Sequence, residues 1–141
     1  MKPVVQEEIT GCGIASVAAL AGVTYREAKA VANRLGIYAE DSSLWSDTRY
    51  VRTLLKYYRL VAGKGETPFR SWDSLPNLAL LAIKWHREGG KPFWHWVVYC
   101  RGPAGPVVLD PKKGLKANTR RDFGRIRPKW FIPVRHAGSI R

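Results

Sequence analysis

Residues 6–22 read QEEITGCGIASVAALAG, with Cys12 set between Gly11 and Gly13 where an acidic segment gives way to an apolar one. From Cys12 to Ala21 the side chains are small and apolar with almost no polar face, the pattern of a helix buried on most sides. Ala, Leu and Ile favour that helix, and Gly22 is placed to end it. A helix buried all round needs cover from the rest of the chain, so this stretch decides the architecture. Its cysteine has two readings. One is a small buried hydrophobe, common for a free thiol. The other is a nucleophile at a helix N-terminus, where unpaired backbone N–H groups and the helix dipole favour a thiolate. On the second reading, Gly11 and Gly13 leave room for a substrate carbonyl, and the Cys12 N–H faces a developing oxyanion.

Working outward, Thr24 followed by Glu27 is a capping-box pattern for a second helix reaching about Leu35 and stopped by Gly36, with Ala28, Val31, Ala32 and Leu35 on its apolar face. "SDTRYVRTLLKYYRL" predicts a third helix capped by Ser46 or Asp47. It turns Tyr50 or Val51, Leu54, Leu55 and Tyr58 inward and Arg49, Arg52, Lys56 and Arg59 to solvent. "GKGETPFRSWDSLPN" is a turn-rich connection and lacks the spacing of a phosphate-binding loop. After Asn77 the pattern changes. "LALLAIKWH", "FWHWVVYCR" and "GPVVLDP" are short apolar or alternating runs parted by "REGGKP" and "GPAG", an antiparallel meander. "KWFIPV" (129–134) predicts a fourth strand, which Pro133 marks as an edge or a strand end. The expected class is α+β in one domain: residues 1–75 mainly helical, 76–135 antiparallel strands, 136–141 a tail, with a cleft between the halves.

Totals bound what such a domain can do. At 141 residues and 45% apolar content with six Trp, the chain can bury a core without disulfide staples. Cys12 and Cys100 form no CxxC pair, which fits a reducing compartment and no zinc site; no metal and no cofactor is expected. Cys100 reads as a strand residue facing core or sheet. Glu7 and Glu8 stand where a signal peptide would be basic, and no run approaches the roughly 20 apolar residues of a membrane span. A cytoplasmic location is expected, with export by a non-standard route left open. The formal charge is +13, unevenly spread: residues 1–100 hold 13 Lys/Arg against 9 acids, and residues 101–141 hold 11 against 2. Such a field attracts nucleic acid, anionic membrane or an acidic protein, or serves general solubility.

A thiolate needs a base, and the histidines are His86, His95 and His136. His95 is best placed, flanked by Trp94 and Trp96 at the start of a strand whose neighbour carries Asp110 in "VVLDP"; His86 and His136 read as surface or loop groups. A strand-turn-strand return can bring Asp110 beside His95, where a carboxylate orients an imidazole and stabilises its charged form. Gln6 can reach the cleft as a second oxyanion donor.

The order Gln6, Cys12 in a GCGxAS setting, His95 in "HWVVY" and Asp110 in "VVLDP" resembles the papain-like cysteine peptidases. It is closest to the bacterial peptidases that remove double-glycine leaders from bacteriocin precursors and to their stand-alone relatives. The likeness spans Gln6 to about Val134. It implies Cys12 as nucleophile, His95 as general base and acid, Asp110 as orienting residue and Gln6 as oxyanion donor, on a papain-like fold acting on a peptide or protein substrate. The segment from Tyr38 to Trp72 matches no motif of that family. The same machinery serves peptidase, deamidase and acyltransferase chemistry, so the reaction stays open among them, as does the number of subunits. A different class also stays open: a non-catalytic module whose basic run "KKGLKANTRRDFGRIRPK" binds nucleic acid or an acidic protein.

Overall fold

A computed structural model describes residues 1–137, and residues 138–141 of the expected tail lie outside the described residues. Three helices come first: α1 (Cys12–Ala21), α2 (Tyr25–Arg34) and α3 (Arg49–Tyr57), with a 3-10 turn at Ser42–Ser46 before α3. The strands are β1 (Leu60–Ala62), β2 (Thr67–Pro68), β3 (Leu78–Glu88), β4 (Lys91–Gly102), β5 (Gly105–Leu109), β6 (Thr119–Arg120) and β7 (Trp130–His136). The expected α+β class and the order of helices before strands both hold. The helical half nevertheless contributes two short strands: β1, which begins on the last residue assigned to the third helix, and β2, within the segment expected to be turns.

Helix ends follow local chemistry. Thr24 Oγ1 accepts the Glu27 N–H at 3.1 Å. At the far end of α2, Gly36 takes a positive φ of 81° and the Ile37 N–H bonds back to Ala32 O at 2.8 Å. This is the Schellman closure that a left-handed glycine permits. It swings Leu35 out, 43% exposed, and buries Ile37 in the place the periodicity assigned to Leu35. In α3 the cap is Thr48, while Asp47 Oδ1 accepts the Arg49 N–H at 2.8 Å. Arg52 departs from its expected solvated role. Its guanidinium donates to Gly63 O at 2.7 Å and Gly65 O at 2.8 Å, tying α3 to the connection before β2.

The sheet is antiparallel throughout, in the order β1-β7-β3-β4-β5-β6, with β2 also paired to β7. Alternation sorts its residues cleanly. Leu80, Ala82, Trp94, Trp96, Val98, Leu109, Ile132 and Val134 join the core built by the helices. Ala79, Leu81, Ile83, Val97, Tyr99, Val108 and Phe131 face the other way, covered by Leu75, Ile126 and the aromatic rings of Phe69, Trp72 and Phe123. Both faces of the sheet are therefore buried, one under helices and one under connecting loops.

Pro133 does not mark an edge. β7 lies inside the sheet, with β3 on one side and β1 and β2 on the other. In a strand the N and C=O of one residue point the same way, and Pro133 O accepts the Gly63 N–H at 2.8 Å. The missing donor thus falls in the gap between β1 and β2, where no ladder bond is lost. Gly63 is needed there, because a Cβ on it would press within 3.0 Å of the Pro133 ring.

One irregularity positions the site. β3 pairs with β4 up to Ile83–His95, then resumes at His86–Phe93, so Lys84 and Trp85 together oppose Trp94. This is a β-bulge, and Lys84 adopts a positive φ of 54° within it. The extra residue shifts the alternation. Trp85 turns toward the helix side, and Lys84 is left exposed, sharing a cavity with His95.

Candidate active site

Cys12 is the first residue of α1, and its helix has no side-chain cap because the capping position is Gly11. The first-turn N–H groups, that of Cys12 among them, have no partner within the helix. Cys12 is 2% exposed. The β4–β5 ladder ends at the Val98–Leu109 pair, so Trp96 lies beyond the reach of β5. Its N–H donates to Cys12 Sγ at 3.4 Å in place of a strand partner.

The flanking glycines do not open a path for substrate, as their position had implied. A Cβ on Gly11 would collide with the Tyr25 hydroxyl, and one on Gly13 with the Tyr50 ring and hydroxyl. They are small because tyrosines from α2 and α3 close over the start of α1. The Tyr25 hydroxyl donates to the Glu8 carboxylate, which also pairs with Lys29. Tyr50 is buried, and burial followed by the nearness of Cys12 pushes its phenol well above the ordinary range.

His95 sits between its two expected partners. Its Nε2–H donates to Asp110 Oδ1 at 2.7 Å, and Cys12, whose sulfur is held by the N–H of the adjoining Trp96, lies near enough to act on the charge of the imidazole. An ionised carboxylate only accepts, so Nε2 carries the proton and Nδ1 is the nitrogen left for the sulfur. Burial alone would lower the imidazole pKa. The bond to Asp110 and the nearness of Cys12 outweigh it and raise the group from 6.5 to about 9. Asp110 moves the opposite way. Burial would raise its carboxyl, but the His95 bond and charge, the Lys112 N–H at 3.0 Å and Arg120 at 2.9 Å hold it well below the usual range.

Asp110 is wholly buried, and every lone-pair direction it uses is filled by a named donor. Arg120 is the residue that sequence reasoning missed. It joins Asp110 Oδ2 to Asp122, with 2.9 Å and 2.7 Å contacts, and extends the chain of charges behind His95. Only the β5–β6 pairing, Val108 opposite Arg120, brings it there. Nothing in the run "ANTRRD" separates Arg120 from Arg121, so no local signal could have found it. Asn118 completes the support, its side chain donating to Asp110 O at 2.8 Å.

Gln6 is buried and shares a cavity of about 320 Å³ with His95, Ile9, Trp45, Lys84 and Lys112. Its amide is not aimed at the sulfur. Both Nε2 hydrogens are engaged, by Glu8 O and Ile9 O at 2.9 Å each, while Oε1 is buried without a partner. The Gln6 main-chain N–H donates to Pro111 O at 2.9 Å. Gln6 therefore braces the loop that leads into Cys12 against the segment following Asp110, and would donate to an oxyanion only by exchanging one of these bonds.

Cys100, His86 and His136 stand apart from this group. Cys100 is half-buried at the far end of β4, His86 is exposed and stacked on Phe93, and His136 is exposed at the end of β7. Among the described residues, no three His, Cys, Asp or Glu gather as a metal ion would need. Among the described residues, no helix is long and apolar enough to cross a membrane. No family model matches the chain, and no curated protein matches it with significance.

Proposed function

We propose that the chain is a papain-like cysteine hydrolase, a peptidase in its simplest form. The observation that carries this reading is that Cys12 Sγ, on the first residue of a buried, uncapped helix, is held by the N–H of Trp96 next to His95, whose imidazole is bonded to Asp110. His95 takes the Cys12 proton, and the thiolate attacks a substrate carbonyl carbon. The C–S bond forms, and the carbonyl π electrons move to oxygen, facing the free Cys12 N–H. Collapse re-forms the carbonyl and breaks the C–N bond, while the imidazolium gives its proton to the departing amine. Water then loses a proton to His95, attacks the thioester and releases the acid with the thiol restored. An amine in place of water turns the same cycle into acyl transfer, and a primary amide as substrate makes it a deamidation.

Asp110 stabilises the imidazolium and fixes which nitrogen faces the sulfur, the roles such a carboxylate plays in nucleophile–histidine pairs. Trp94 and Trp96, both buried, keep water from the backbone around His95.

Alkylation by iodoacetamide at neutral pH tests the reading. Cys12 should react faster than Cys100 although it is the more buried thiol, and His95→Ala should remove its lead. Peptide mapping by mass spectrometry gives both rates in one experiment. Equal slow labelling of both thiols, unchanged in His95→Ala, refutes it.

A further inference from the structure

The cavity beside His95 meets a second one, of about 500 Å³, at a single shared residue, Lys84. Lys112 and Lys113 line the first; Arg125, Arg127 and Lys129 line the second. All six cations are exposed, and none is in an ion pair among the described residues. The remaining basic residue of the second cavity, Arg120, is already neutralised by Asp110 and Asp122. Acids are sparse: Glu8 is tied to Lys29 and Tyr25, which leaves Glu7 at the mouth of the first cavity. The bulge holds Lys84 at the junction in a backbone conformation that a lysine rarely adopts. Partial desolvation and then the adjacent Lys112 disfavour its charged form, against a smaller opposing pull from Asp110.

The geometry points to a binding track for an acidic polypeptide segment, running from Lys129 and Arg127 across Lys84 to Lys112 and Lys113 at the cavity beside His95. That the track delivers a substrate to Cys12 rests on the proposed acyl chemistry; the binding itself does not.

A polypeptide fits better than a nucleic acid. Single-stranded nucleic acids are held by open aromatic faces on which bases stack. Here the Trp85 ring is half-buried and already covered, with the Lys129 ammonium 4.7 Å and the Arg87 guanidinium 5.7 Å from its centroid. Next to His95 the cavity offers the aliphatic Ile9, 78% exposed, which suits an amino-acid side chain, and Trp45, whose half-buried ring is already engaged edge-to-face by Phe93.

Fluorescence anisotropy on the full chain carrying Cys12→Ala tests the track, with a labelled twelve-residue Glu-rich peptide, a Lys-rich peptide and a twelve-nucleotide single-stranded DNA as probes. The Glu-rich peptide should bind, the Lys-rich one should not, and added salt should weaken binding. Lys84→Asn tolerates the positive φ while removing the charge; combined with Lys112→Ser and Lys113→Ser it should weaken binding about tenfold, the product of roughly twofold losses per exposed contact. In the unsubstituted chain, saturating Glu-rich peptide should slow iodoacetamide labelling of Cys12. Tighter binding of the DNA, or affinity unchanged in the triple variant with its far-ultraviolet circular dichroism intact, overturns the track. Binding without protection of Cys12 overturns its connection to the site, while slow labelling of Cys12 in free protein counts against the hydrolase reading alone.

Discussion

At the scale of single residues, the site turns on a proton held between three side chains. Asp110→Asn preserves shape and removes the charge that offsets the burial of His95. In a proton NMR titration the imidazole should then titrate well below about 9, burial now acting with less opposition. An unchanged midpoint would show that Asp110 does not govern it. Arg120→Gln should instead raise the same midpoint slightly, because it removes a cation that shares the Asp110 carboxylate with the imidazolium. The three principal residues were legible because each carries a local signature: a helix start, a tryptophan-flanked strand, an Asp-Pro turn. Gln6 was legible as a member of the group but not in its present bonding, since its partners are backbone carbonyls of its own loop. Arg120 was one cation among many.

Elements are held together by contacts that periodicity does not encode. Gly11 and Gly13 looked like concessions to a substrate, and the structure fills both with tyrosines from other helices. Overpacking of this kind costs about 1–3 kcal/mol. Gly11→Ala should lower stability to urea by an amount in that range, and Tyr25→Phe should recover part of it, because the nearest atom to the new methyl is the Tyr25 hydroxyl. Strict additivity of the two changes would mean that the hydroxyl is not the obstacle. The three helices and the longer strands were readable from apolar spacing and turn residues. The bulge at Lys84 was not, because "AIKWH" alternates acceptably in either register. β1 and β2 are too short to raise a pattern above their turn-rich surroundings.

For the whole molecule, the same proton links the site to stability. His95 binds its proton more tightly folded than unfolded, so its contribution is complete below about 6.5 and is lost as pH rises toward about 9. Asp110 contributes in the opposite sense, fully above its ordinary 3.8 and lost in strong acid. The melting temperature should fall between pH 6.5 and 9.5 more steeply in the native sequence than in His95→Gln, as followed by circular dichroism; parallel curves would sever the link. The α+β layout was legible in the switch of pattern near Asn77, whereas the place of β7 was not. Pro133 argued for an edge because local chemistry cannot reveal that a gap between two short strands awaits it. That placement bears on how the chain is made. β3 leaves the ribosome long before β7, and until β7 arrives one edge of β3, a row of unpaired backbone N–H and C=O groups, has no neighbour. A nascent or truncated chain ending before Trp130 therefore presents an adhesive border, and such chains should depend on chaperones until the last strand is inserted.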